Sequence, residues 1–230
     1  MKRATLVIVA MVAVLLPIAA FGTAAGASHN GYTYTVELRN LTGGQYLTPP
    51  NWAAHTMAAD VFSLGDEASS ALQQLAENGN NFGMAAAIEA AVDDQGLGVS
   101  GNPGGPVGPG QTSTWEFTTT ADRLSVVSMV ICTNDGFAGL DSRKLPTHAG
   151  ATKTYRLHAY DAGTEINTEA RDDLVPAPFC GGPGGTGTTN PDLAENGDIG
   201  HHRGILGTGD LDDSFDWSGP IVEMVVTRTN

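Results

Sequence analysis

Short segments that alternate between apolar and polar residues, separated by loops rich in Gly, Pro, Asn and Asp, most constrain the fold of this chain. In residues 32–38, for example, Tyr34, Val36 and Leu38 fall on one face of an extended strand. Four later segments have a similar strand-forming texture: 113–119, 124–132, 153–160 and 221–227. Strands separated by such loops are typical of an antiparallel sandwich or barrel, so the chain is predicted to be all-β.

Two apolar stripes at helical spacing interrupt this β pattern. The first covers residues 68–76 and stops at Asn78-Gly79, and the second covers residues 82–92. They predict a short helical insertion between the early strands. Three segments rich in Gly or Pro predict irregular loops, namely 40–51, 96–110 and 181–189. We find no internal repeat, and the length fits one domain.

The first 27 residues differ from the rest. A positively charged start precedes an apolar run from Leu6 to Phe21, and Ala25-Gly26-Ala27 supplies the small-x-small pattern that signal peptidase reads. We therefore predict a signal peptide at 1–27 and a mature domain at 28–230, secreted or held at the cell surface. An uncleaved anchor is the alternative. No later segment approaches the ~18 apolar residues of a membrane span.

The charge of the chain narrows the choice of partner. The formal net charge is −14, and it becomes −16 when Lys2 and Arg3 leave with the signal peptide. So acidic a surface repels phosphate backbones, which argues against nucleic acid and against anionic membranes as partners. The acidity indicates either cation binding or adaptation to high salt.

Cysteine occurs only twice, at Cys132 and Cys180. In an exported protein an even pair is readily interpreted as one disulfide. Two unrelated buried thiols are the alternative. Two cysteines alone do not make a structural zinc site.

Several acidic residues stand where strands are predicted to end or turn. Asp135 follows one predicted strand within Asn-Asp-Gly, and Asp161 and Glu165 follow another, separated by a glycine that permits a sharp turn. If those strands are neighbours, the three carboxylates meet at one end of the sandwich, where hard oxygen ligands suit Ca²⁺. Glu116, inside a predicted strand, is a fourth candidate. Taken singly, Asn-Asp-Gly is more often just a turn, and a residue such as Glu116 is more often just solvated.

Several motifs resemble the spondin-domain family. Ile131-Cys-Thr-Asn-Asp-Gly-Phe-Ala-Gly-Leu-Asp-Ser142 is similar to its loop ending Phe-x-Gly-hydrophobic-Asp-Ser, and Tyr160-Asp-Ala-Gly-Thr-Glu165 to its Tyr/Trp-Asp-Ala-Gly-Thr-Asp motif, with Glu for the last Asp. Pro50-Asn-Trp-Ala-Ala-His55 and Leu75-Ala-Glu-Asn-Gly79 resemble two earlier segments. The matches keep the family's order over about residues 32–228.

The resemblance implies a C2-like β-sandwich that binds one calcium ion. Its metal ligands would be Glu116, Asp135, Asp161 and Glu165. In animals the resembling domains belong to matrix proteins of cell adhesion and pattern recognition. The expected function is therefore a secreted calcium-binding module that recognises an extracellular protein or glycan.

Two other functions are open from the sequence. A metal-dependent hydrolase would draw on His201-His202 and on a nearby acidic cluster, although no familiar catalytic motif accompanies them. That cluster consists of Asp210, Asp212, Asp213 and Asp216. A calcium-dependent carbohydrate-binding module would draw on exposed Trp52 and Trp217, which are otherwise anchors at the edge of the core. We expect a binding module and not an enzyme.

Overall fold

The computed structural model describes residues 31–230, apart from residues 58, 95–97, 177, 183–184 and 186. The predicted signal peptide at 1–27 lies outside the described residues. The elements in chain order are β1 (Tyr32–Asn40), β2 (Asn51–His55), α1 (Ser70–Asn78), α2 (Asn81–Asp94), β3 (Gly98–Gly101), β4 (Thr112–Thr119), β5 (Arg123–Met129), β6 (Gly136–Lys144), β7 (Thr152–Asp161), β8 (Gly200–His201) and β9 (Val222–Arg228). Short 3-10 helices cover Arg171–Asp173, Pro191–Leu193 and Asp213–Phe215.

The strands pair in antiparallel fashion in the order β3-β2-β5-β6-β7-β9-β1-β4. Strand β7 divides this order into two sheets, because residues 152–157 pair with β9 while residues 158–161 pair with β6. The fold is thus an antiparallel β-sandwich, as predicted. Both helices lie between β2 and β3 and form the predicted helical insertion.

Two clusters of buried apolar side chains hold these layers together. The first joins the two sheets and contains Tyr34, Val36 and Leu38, the face that the alternation in β1 predicts. The second lies on the opposite face of β5 and packs Val127 and Met129 of that strand against both helices. Both faces of β5 are therefore buried, which explains why its sequence is rich in apolar residues without a regular alternation.

Several strands differ from the sequence-based prediction. Strand β2 starts where the loop at 40–51 was expected to end, and β3 lies inside the loop predicted at 96–110. All five residues of β2 are buried, so its sequence lacks the alternation by which a half-buried strand is recognised. Strand β6 follows the Asn-Asp-Gly turn, and the strand predicted at 124–132 ends at Met129.

Helix α1 is bounded by recognisable caps. The Ser69 side chain accepts a hydrogen bond from the Leu72 amide, and Gly79 ends α1 with a φ of 65°. Helix α1 thus stops where Asn78-Gly79 predicts, although it begins after Asp66 and Glu67. Within the described ranges, neither helix has the length and apolar character needed to cross a membrane.

Candidate functional site

The turn between β5 and β6 organises one end of the sandwich. The Thr133 hydroxyl donates to the Val130 carbonyl and accepts from the Gly136 amide. Residue 136 must be glycine, since a Cβ there would lie 2.4 Å from the Thr133 hydroxyl oxygen. The side-chain oxygen of Asn134 accepts from the amides of Thr168 and Glu169. The turn therefore fixes the loop that follows β7.

Asp135 lies at the centre of this arrangement and is fully buried. Its Oδ2 atom accepts hydrogen bonds from the Thr164 amide at 2.7 Å, the Glu165 amide at 3.0 Å and the Thr164 hydroxyl at 3.2 Å. Its Oδ1 atom is buried and has no hydrogen-bond partner among the described residues. A buried carboxylate oxygen without a partner is unfavourable unless something else compensates its charge.

Asp161 ends β7 and pairs across the sheet with Gly136, next to Asp135. Its Oδ1 atom accepts from the Gly163 amide at 2.8 Å, and its Oδ2 atom accepts from the Asn167 side-chain amide at 2.7 Å. Burial, and next the negative charge of Asp161, together raise the pKa of Asp135 to about 7, although the hydrogen bonds from Thr164 and Glu165 oppose this rise. The two carboxylates therefore repel each other when both are ionised.

Glu165 is the third acid of the cluster and is only 2% exposed. One of its oxygens accepts a long hydrogen bond, 3.4 Å, from the Asn190 amide. The pKa of Glu165 is raised to about 7, mainly by burial and also by the charges of Glu77, Asp135 and Asp173. In the described part of the chain no Lys or Arg forms an ion pair with these acids.

Two of these neighbours were not singled out in the sequence. Glu77 comes from α1 and Asp173 from the 3-10 helix at Arg171–Asp173. Glu77 is buried, and it accepts hydrogen bonds from Gln73 and Thr189. It belongs to the Leu75–Gly79 stretch, which resembles the family and would have drawn attention to it. Asp173 carries no such signal.

Glu116 does not join this cluster. It is exposed on β4, where it pairs with Thr35 of β1, and Thr35 in turn pairs with Thr227 of β9. Thr227 pairs with Thr152, at the start of β7, whereas Asp161 is the last residue of that strand. At a rise of about 3.3 Å per residue, the two ends of β7 lie roughly 30 Å apart. The register therefore places Glu116 toward the opposite end of the sandwich.

The oxygen atoms at this end of the sandwich are of the type that a hard cation binds. They are carboxylate oxygens on backbone that turns sharply, and one buried oxygen, Asp135 Oδ1, is unsatisfied among the described residues. Within that same part of the chain, no three Asp, Glu, His or Cys side chains already converge as a metal site. A calcium ion held by Asp135, Asp161 and Glu165 would thus need backbone carbonyls or water to complete its shell of six to eight oxygens.

The sequence profile of the Spondin_N family matches residues 51–170, just over half of the chain. The chain belongs to the spondin N-terminal domain family. The match runs from β2 to the loop after β7 and includes all three clustered acids. A search of curated proteins found no match.

Membership supports an extracellular, adhesion-type module, since spondin domains are generally extracellular. The disulfide between Cys132 and Cys180 is consistent with that setting and confirms the predicted pairing. It joins the β5–β6 turn of the spondin domain to the loop after the 3-10 helix at Arg171–Asp173. The turn that carries Asp135 is therefore covalently tied to a distant segment.

Three of the four aspartates that suggested a hydrolase, Asp210, Asp212 and Asp216, accept hydrogen bonds from backbone amides in this spondin domain. Asp210 accepts from the Arg171 amide, and Asp216 accepts from the Ile205 amide. Asp212 caps the 3-10 helix at Asp213–Phe215 through the Ser214 amide. Each of these carboxylates stabilises local backbone structure, and their hydrogen-bond partners are three different residues.

The two tryptophans considered for sugar stacking are packed against the core. Trp52 is 6% exposed, and its ring packs against the rings of Trp115 and Phe117. Trp217 is half-buried, packs against both core clusters and contacts the His202 ring at 5.2 Å. The interpretation of both as core anchors is the one that the packing supports.

Substitution of Gly163 tests how tightly the loop that carries Asp161 and Glu165 is packed. Its φ is 70°, and a Cβ there would lie 2.7 Å from the Asp198 carbonyl oxygen and from the Gly197 carbonyl carbon. We expect Gly163→Ala to lower the free energy of unfolding by about 3 kcal/mol, from the left-handed backbone plus the overpacking. Urea denaturation measures this loss.

Gly219→Ala is the matched control for that substitution. Gly219 has a φ of 71° but nothing within 4 Å of its Cβ position. This variant should therefore lose only the conformational term of about 1–2 kcal/mol. Equal losses in the two variants would show that the contact between the loops at Gly163 and Gly197 is not tight.

Proposed function

We propose that this spondin domain is an extracellular adhesion module in which a bound calcium ion stabilises the loops at one end of the sandwich. Asp135, Asp161 and Glu165 would hold the ion, and the surrounding loops would present a surface to an extracellular protein or glycan. Calcium would supply positive charge where three carboxylates lie close together. The observation that carries the proposal is the buried, unpaired Oδ1 atom of Asp135.

Hydrogen bonds from the surrounding loops fix the side chains of the proposed calcium site. Asp135 Oδ2 is saturated by the amides of Thr164 and Glu165, so the Asp135 side chain is fixed with Oδ1 free of protein donors. Asp161 is fixed by Gly163 and Asn167 in the same loop. The carboxylates are thus oriented by backbone and amide donors before any ion binds, which limits the entropy lost on binding.

A buried contact between Ser125 and His55 lacks the arrangement of a hydrolytic triad. His55 Nε2 lies 2.7 Å from the Ser125 hydroxyl, and that hydroxyl donates to Asp141 at 3.0 Å and accepts from the Ser142 amide. In a hydrolytic triad the acid orients the histidine, whereas here the acid contacts the serine. His55 and Ser125 are both buried, so the serine oxygen has no access to a substrate. The group acts as an internal network between β2, β5 and β6.

Thermal unfolding with calcium, magnesium or EDTA tests the calcium proposal. Ligand that binds only the folded state stabilises it by about 2.7 kcal/mol at a hundredfold excess over Kd. We expect this rise with calcium in the parent, a smaller one with magnesium, and none in Asp161→Asn/Glu165→Gln. The double variant removes two negative charges and keeps both side-chain shapes.

The control is Asp212→Asn/Asp213→Asn, which removes the same charge from the exposed turn at Asp213–Phe215. It should keep the full calcium response. A response that is equally small in both double variants would indicate general screening of an acidic protein. Absence of any calcium-specific rise in the parent would overturn the proposal.

A further inference from the structure

A pocket of about 350 Å³ opens on the face of β6 and β7 away from the first core cluster. Asp141 and Arg143 line it from β6, and Arg156, His158 and Tyr160 line it from β7. Arg156, His158 and Tyr160 share one face of β7 because they alternate along the strand, whereas on β6 a bulge opposite Ser125, with a φ of 48° at Ser142, lies between Asp141 and Arg143. None of them belongs to the acid cluster described above.

Gly139 shapes the floor of this pocket. A Cβ at that position would lie 2.6 Å from the Phe62 ring and 3.0 Å from the Tyr160 ring. The absence of a side chain allows both rings to lie against the sheet, with their centroids 5.3 Å apart. Tyr160 is half-buried, and its ring also stacks on His201. The floor is therefore aromatic and rigid.

The pocket lies in the part of this acidic protein where positive charge is concentrated. Five of the nine lysines and arginines in the described residues are on β5, β6 and β7: Arg123, Arg143, Lys144, Lys153 and Arg156. Arg156 pairs with Glu223 at 2.8 Å. Arg143 is exposed, and its guanidinium has neither a hydrogen bond nor an ion pair to any described residue.

Asp141 adds an oriented acceptor beside that free guanidinium. Its Oδ1 atom accepts from the Ser125 hydroxyl, which fixes the carboxylate in place. Its Oδ2 atom has no hydrogen bond to any described residue and is available to a ligand. An aromatic floor, a free guanidinium and a fixed carboxylate together match the ring face, an acidic group and the hydroxyl groups of a sugar.

We propose that this pocket binds a uronic acid residue of an extracellular polysaccharide. The sugar carboxylate would pair with Arg143, a sugar hydroxyl would donate to Asp141, and the ring would lie against Tyr160. Asp141 and Glu223 offset the charges of Arg143 and Arg156, so the pocket suits a single anionic group better than a densely sulfated chain. The planar guanidinium also matches a carboxylate through two parallel hydrogen bonds. The proposal rests on the glycan-recognition part of the proposed function.

Calorimetric titration of the parent protein with a trimer of galacturonic acid tests it. The same titration is made with the methyl-esterified trimer, which is neutral, and with dextran sulfate, which carries sulfate. Working in EDTA prevents calcium from bridging the carboxylates. We expect binding of the acid trimer and, for its ester, affinity lower by at least about tenfold, the effect of losing a charge-assisted hydrogen bond.

Arg143→Gln should weaken binding of the acid trimer by a similar factor, whereas Arg39→Gln should not. Arg39 is exposed on β1, in the other sheet, so its loss matches the change in charge without touching the pocket. Binding that is equal for the trimer and its ester, equal in both arginine variants, or stronger for dextran sulfate would overturn the proposal, as would no binding. The calcium-dependent thermal shift of Arg143→Gln is measured separately, so a failure of the sugar to bind does not count against the calcium proposal.

Discussion

Replacing both cysteines, as Cys132→Ala/Cys180→Ala, is expected to lower the free energy of unfolding by about 4 kcal/mol in the chain-entropy description of cross-links. The two residues are 48 positions apart, and the loop that they close contains β6, β7 and the acid-bearing segment after β7. Urea denaturation with a slope of about 2 kcal/mol/M would show the midpoint falling by roughly 2 M.

The disulfide should also affect the acid cluster. Cys132 exchanges hydrogen bonds with the Gln45 side chain and stands three residues before Asp135, so freeing it loosens the turn that fixes that carboxylate. We expect weaker calcium stabilisation in the double variant than in the parent. Reduction of the parent should reproduce the loss of stability without any change in side-chain volume. An unchanged urea midpoint in both experiments would contradict the structural role of the bond.

Local sequence patterns predicted the elements that have one buried face. The alternation in β1 and the stop signal after α1 were sufficient because each reflects only local geometry and burial. Strand β2 was missed because sheet and helices bury both of its faces, and β3 because it is a short strand containing two glycines. Their positions depend on packing between layers, which a local pattern does not contain.

Among the candidate metal ligands, too, local sequence predicted some positions and tertiary packing decided the others. Asp135 directly precedes β6, Asp161 ends β7 and Glu165 follows it, and β6 and β7 are neighbours, so adjacency along the chain sufficed to bring these acids together. Glu116 is closer to Asp135 in sequence than Asp161 is, but β4 belongs to the other sheet. Distance along the chain therefore did not predict distance in space.

The neighbours Glu77 and Asp173 could not be predicted by the same reasoning. Glu77 lies on a helix more than fifty residues before Asp135, and it reaches the site only because α1 packs on β5 and β6. These additional charges matter because they raise the pKa of Glu165, together with its burial. The electrostatics of the cluster is thus a property of tertiary structure.

The calcium-free protein should lose stability as the pH rises from about 4 to about 7. The pKa of Asp135 is raised to about 7 by burial and by Asp161, whereas an unfolded Asp titrates near 4. Between these values the folded state holds a proton that the unfolded state has released, so the free energy of unfolding falls with rising pH. For Asp135 alone the full difference is about 3–4 kcal/mol, complete above pH ~8.

Calcium should reverse this dependence, because it binds the ionised carboxylates and competes with protons. We therefore expect the stabilisation by calcium to be small near pH 5 and large near pH 8, when urea denaturation is compared with and without EDTA. Asp135→Asn removes one of the two acids whose pKa is raised to about 7 and should make the calcium-free profile less steep, with the contribution of Glu165 remaining, whereas Asp213→Asn in the exposed 3-10 helix should leave it unchanged. A profile that is flat in the calcium-free parent, or equally steep in Asp135→Asn, would show that the unpaired oxygen of Asp135 is compensated by something other than a proton or a cation.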